Sequence, residues 1–119
     1  MKVLKFGGTS VGSPAQMREV ARIAKVEDAT LLVLSAVAGT TNSLVEIAEL
    51  FLSDHSEDAL RKIQDLEKSY QSFVEDLLPE GGHREEAMEI LSQRFTFLKT
   101  AVQRLQPAIL ERSILAQGE

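Results

Sequence analysis

The sequence has no cysteine among its 119 residues, which excludes disulfides, thiolate-bound zinc, iron–sulfur clusters and thiol catalysis together. It also lacks any basic surplus, since 13 Lys and Arg stand against 18 Asp and Glu for a formal charge of −5. Duplex phosphates are held by clustered cations that release counterions, so no nucleic-acid partner is expected. Long apolar runs are missing as well. The longest, Leu31 to Leu34, falls far short of the roughly 20 residues of a membrane-spanning helix. The opening Met1-Lys2-Val3-Leu4-Lys5-Phe6 is interrupted by charge and too short for the apolar core of a signal peptide. No membrane partner is expected, and a reducing, cytoplasmic location fits. Histidine is scarce: His55 and His83 stand alone in polar segments, so no metal site is expected.

What remains is the composition of an ordinary soluble domain, 44% hydrophobic and 26% charged. Val3 to Phe6 is a short strand candidate ended by Gly7-Gly8, glycines that accept unusual backbone angles without cost. Ser13-Pro14-Ala15-Gln16 then forms a capping box with proline at the first helical position. Met17, Val20, Ala21 and Ala24 give that helix one apolar face, and it should end near Val26. Thr30 to Leu34 is continuously apolar, as strands are when both faces of a parallel sheet are covered. Strand, helix and strand in this order make a βαβ unit. Ligands of open parallel sheets bind beyond the carboxyl ends of the strands, so Gly7 to Ser10 and Ser35 to Asn42 should line one crevice.

From Ser43 the periodicity is helical. A capping box Ser43-x-x-Glu46 leads a face of Leu44, Ile47, Ala48 and Phe51, and Asp54-His55-Ser56 ends it. A long helix follows with Leu60, Ile63, Leu66, Tyr70, Phe73, Val74 and Leu77 on one face, closed by Pro79 and Gly81-Gly82. Another runs from about Arg84 to Leu105, and Pro107 opens a last segment. Phe95 and Phe97, two apart in a helix, point in different directions. Glu85, Glu86 and Glu89 read as a solvated face. The expected organisation is thus a βαβ phosphate-binding part over 1–42 and a helical segment over 43–119. Two strands cannot hide two apolar faces, so the chain is expected to be part of a larger α/β domain.

Two familiar phosphate-binding patterns fail here. Gly7 and Gly12 have P-loop spacing, but Ser13-Pro14 stands where Lys and Ser/Thr belong, and Thr9 occupies the second glycine position of the dinucleotide fingerprint. The pair Gly7-Gly8 can still bring backbone N–H groups close to anionic oxygens, with Thr9 and Ser10 hydroxyls at the rim. Lys5, two residues earlier, can supply a positive charge where a phosphoryl group is transferred.

Lys5-Phe6-Gly7-Gly8-Thr9-Ser10 resembles the N-terminal signature of the aspartokinases, members of the amino acid kinase family. Leu34-Ser35-Ala36-Val37-Ala38-Gly39-Thr40-Thr41-Asn42 is similar to that family's second loop, and Gly118-Glu119 to the Gly-Glu after its helical segment. The resemblance implies the N-terminal part of a three-layer α/β/α sandwich with parallel strands and a helical subdomain. It also implies transfer of the γ-phosphoryl of MgATP to the side-chain carboxylate of L-aspartate, at the entry to lysine, threonine and methionine synthesis. In that pattern Lys5 is catalytic; Lys5, Phe6, Gly7, Gly8, Ser10 and Ser35 face ATP phosphates; Thr41 and Glu119 hold aspartate; Thr40 is a weaker candidate. A carboxylate needs no general base, so the lack of a Ser/His/Asp constellation is no objection. The remaining half of the kinase domain, with its adenine pocket, and the regulatory ACT domains lie outside these residues, so the chain alone is not expected to turn over. The full-length family protein implies a homo-oligomer, and the first five residues resemble aspartokinases fused to homoserine dehydrogenase. The competing readings are a small helical interaction module without catalysis and an amino acid kinase relative acting on another carboxylate.

Overall fold

The computed structural model describes residues 2–25 and 29–117, with side chains through Arg104. Strand β1 (Lys2–Phe6) leads into a 3₁₀ turn (Gly8–Val11), helix α1 (Pro14–Lys25) and strand β2 (Thr30–Leu34). Helices α2 (Thr40–Leu52), α3 (Ser56–Leu77) and α4 (Gly82–Gln117) follow. The protein is mixed α/β and mostly helical, with one two-stranded parallel sheet. The capping box expected at α1 is present: Ser13 Oγ accepts the Gln16 N–H at 3.2 Å and bonds to Gln16 Oε1 at 3.2 Å.

Register runs from Lys2 opposite Thr30 to Phe6 opposite Leu34, so both strands end at the same edge. Side chains along β2 alternate between faces, yet Leu31, Leu32, Val33 and Leu34 are all between 40 and 55% exposed. Among the described residues neither face of the sheet is closely covered along that strand.

The core lies instead among the helices. Ile47, Phe51, Ala59, Ile63, Phe95 and Val102 are buried together, with Leu50, Leu60, Leu66, Tyr70, Leu91 and Leu98 packed against them. Helix α4 is 36 residues long, about 54 Å at 1.5 Å per residue, which accounts for most of the 62 Å long axis of a molecule only 18 Å thick. The radius of gyration, 18.4 Å, exceeds the roughly 13 Å of a compact chain of this length. Cross-helix ion pairs join Lys62 to Glu46 and Lys99 to Glu67.

The carbonyl end of α3 is closed by two arginines from different helices. Arg18 of α1 donates to the carbonyls of Asp76 and Leu77, and Arg84 of α4 donates to Leu78 at 2.9 Å and Glu75 at 2.8 Å. They satisfy acceptors that a helix end leaves free and complement its negative pole. Arg84→Ala is expected to lower stability by about 1.5 kcal/mol, read as a shifted urea midpoint with unchanged slope. An unchanged midpoint would show the cap to be energetically idle.

Four sequence expectations are corrected. Helix α2 begins at Thr40, one turn before Ser43, because Gly39 at φ +86° turns the chain and accepts the Ser43 N–H at 3.0 Å. Its buried face is Ile47 and Phe51 with Leu50 packed beside them, while Leu44 is exposed; among the described residues the core cluster meets α2 chiefly from α3 and α4, which narrows the stripe. Pro107 lies inside a continuous α4 instead of opening a segment, although a proline there forfeits one N–H rung and crowds the preceding turn. Gly7 has an ordinary extended backbone at φ −76°, ψ 175°, and Gly8 is not at positive φ, so unusual angles are not why these glycines are there. The expected helix end at Val26 lies outside the described residues.

Candidate functional site

Parallel pairing carries the first and second loops to one edge of the sheet. The Ser35 N–H donates to the Phe6 carbonyl at 3.1 Å, the last rung of the ladder. Beyond it the chains touch backbone to backbone: a β-carbon on Gly8 would stand 3.1 Å from the Ala36 carbonyl oxygen and 3.6 Å from Ala38 Cα. One on Gly12 would stand 3.3 Å from Ala38 Cβ. Close approach is what requires glycine at position 8. At Gly7 a β-carbon would meet nothing within 4 Å, so no packing among the described residues calls for glycine there.

Lys5 is exposed near the end of β1, and among the described residues it has no carboxylate partner. Phe6 is half-buried at the strand end, Gly7 is exposed and Gly8 half-buried. Ser10 is half-buried within the 3₁₀ turn, its N–H donating to the Gly7 carbonyl at 3.1 Å. Ser35 follows β2 directly and is exposed, and Thr41 is exposed in the first turn of α2. The structure thus brings Lys5 through Ser10 and Ser35 to one edge and sets Thr41 one tight turn further on. Glu119 and Gly118 lie outside the described residues.

A pocket of about 220 Å³ adjoins the second loop on its helical side, lined by Val37, Gly39, Thr40, Ser43, Tyr70 and Phe73 among others. None of Lys5, Gly7, Gly8 or Ser35 reaches it. Between its walls the hydroxyls of Thr40 and Tyr70 hydrogen-bond to each other. Tyr70 read as a core residue from its spacing; nothing local could have linked it to a residue 30 positions earlier. Away from the loops, Glu19 is held below the ordinary carboxylate range by Arg22, whose Nε donates to it at 3.0 Å. That pair is a one-turn contact on the exposed side of α1 and marks no site. His55, His83, Glu85, Glu86 and Glu89 are exposed, as expected.

No protein-family model matches the chain. It is 45% identical over 56 residues to an aspartate kinase of Pseudomonas fluorescens, a match covering 44% of this chain and 14% of that protein. An aspartokinase of Chlamydia trachomatis is 48% identical over 48 residues, covering 40% and 11% respectively. This chain resembles the aspartokinases. A bifunctional aspartokinase/homoserine dehydrogenase of Haemophilus influenzae is also similar, 41% identical over 61 residues, 49% of this chain and 8% of that protein. The matches therefore span between 8 and 14% of these aspartokinases' lengths. Among the described residues no helix is long and apolar enough to cross a membrane.

Proposed function

We propose that the chain forms the phosphate-binding part of an aspartate kinase, within an amino acid kinase-like three-layer sandwich. The observation that carries this reading is the meeting of the two loops: Gly8 lies against Ala36 while Lys5 and Ser35 flank the same strand ends. The aspartokinase relatives support it, as do the uncovered strands, which leave surface for further layers.

The residues fit a polyphosphate. Lys5 offers an uncommitted ammonium, and Gly7 keeps open space next to it, where a ligand oxygen could approach the backbone. Phe6 and Ser10 shape the rim, and the Ser35 hydroxyl stands ready as a donor. Thr41 would contact aspartate, with Glu119 as partner for its ammonium. Mg²⁺ would be carried on the phosphates of the nucleotide. Phosphoryl transfer to a carboxylate then needs charge neutralisation and alignment more than a base. Lys5 lowers the cost of charge developing on the transferred group.

The test is titration of the chain with MgATP, followed through its backbone amide NMR shifts. Shifts confined to Lys5–Ser10 and Ser35–Thr41 are expected, with affinity about tenfold weaker in Lys5→Ala, the loss of one charge-assisted contact. Shifts elsewhere, or equal affinity in the variant, would remove the basis for the phosphate assignment. Capture of a partner protein without any nucleotide effect would favour the helical-module reading.

A further inference from the structure

Helix α2 starts without a side-chain cap. Its N-cap is Gly39, which has no side chain to accept the free N–H groups, and which stands at φ +86° in a left-handed region that glycine, the residue with the most backbone freedom, enters at no steric cost. The second loop should therefore be loose where it enters the helix. Ala36 and Ala38 pack on Gly8 and Gly12 before this point, and at the helix entry itself the side-chain hydrogen bond found among the described residues is the one between the hydroxyls of Thr40 and Tyr70. Tyr70 is a firm anchor. It is half-buried on α3, its ring 6.0 Å from that of Phe95 on α4 and tilted by 58°, and it packs on the main core.

We propose that Tyr70 is a positioning residue, whose hydroxyl holds Thr40 and thereby sets the loop that presents Ser35 and Thr41. The ligand roles of Ser35 and Thr41 rest on the function proposed above; the tie itself does not. The helical segment would then contribute to the loop site without touching a ligand, by converting the order of the α3–α4 pair into order of Gly39 and Thr40. Thr40 would serve as the held residue, its hydroxyl already engaged, leaving Thr41 next to it exposed.

Amide hydrogen exchange in the 119-residue chain reads the tie directly. The N–H groups of Thr40 and Ser43 are protected by bonds to the carbonyls of Val37 at 3.1 Å and Gly39 at 3.0 Å. Tyr70→Phe keeps the ring and removes only the hydroxyl, and is expected to speed exchange at these two amides about fivefold, roughly one hydrogen bond's worth. The amides of Ile63 and Phe95 should stay unchanged. Thr40→Val should match Tyr70→Phe, and Thr40→Ser, which keeps a hydroxyl, should restore protection. Unchanged exchange at Thr40 and Ser43, or equal acceleration in the core amides, would overturn the proposal. MgATP titration of the same variants separates the two ideas: a chain that binds no nucleotide defeats the proposed function, while the exchange pattern still decides whether Tyr70 holds the loop.

Discussion

Ile63→Ala is expected to lower the stability of the chain by about 3 kcal/mol. Among the described residues Ile63 is the largest side chain with no exposed surface, and it sits where α2, α3 and α4 meet, among Ile47, Phe51, Ala59, Phe95 and Val102. Truncation removes buried methyl groups and leaves a void that three helices can close only by moving together. Domains of this size hold about 5 to 15 kcal/mol in total, and this one has an uncovered sheet that adds little. The urea midpoint should fall by roughly 1.5 M at unchanged slope. Phe97→Ala is the matched control, since that ring is 73% exposed on the far side of α4; its effect should stay within about 0.5 kcal/mol. A loss under 1 kcal/mol at Ile63 would place the centre of the core elsewhere.

The contrast between Phe95 and Phe97 also shows what the sequence made legible. Helical geometry alone separates two residues two apart, and Phe95 is buried where Phe97 is not. The strands, the α1 capping box and the stop at Asp54 to Ser56 were readable for the same reason: each follows from residues within one turn of one another. The start of α2 was misread because Ser43 and Glu46 satisfy a local capping rule, whereas the helix starts from a left-handed turn at Gly39 with no side-chain cap to announce it. Ala59 went unnoticed on α3 because its burial depends on facing helices, not on its own hydrophobicity. The arginine pair at the end of α3 and the Thr40–Tyr70 bond were equally out of reach. The Arg18 and Thr40–Tyr70 bonds join residues 30 to 59 positions apart, and Arg84 reaches back 6 and 9 positions across a change of helix; only packing brings such partners together. At the loops themselves sequence went further, since parallel strands must end side by side. It did not separate the two glycines, one needed for contact with the second loop and the other free of any contact.

That separation leads to the second large effect, in Gly8→Asp. The new β-carbon would stand 3.1 Å from the Ala36 carbonyl oxygen, so backbone on one side or the other has to move. A carboxylate would also be brought up against an acceptor oxygen that can offer it no proton. A loss of about 2 to 3 kcal/mol is expected, together with loss of the MgATP-dependent shifts in both loops, because the displaced second loop carries Ser35. Gly7→Ala isolates the ligand from the fold. Its backbone is ordinary and its methyl group meets nothing within 4 Å, so stability should hold within about 0.5 kcal/mol. Any weakening of nucleotide binding in that variant then measures the space that glycine keeps open. Wild-type stability in Gly8→Asp would mean that the loops do not touch, and the single crevice they are proposed to form would go with it. Unchanged nucleotide binding in Gly7→Ala would leave the crevice standing and move the phosphates away from Gly7, toward Gly8 and Ser10.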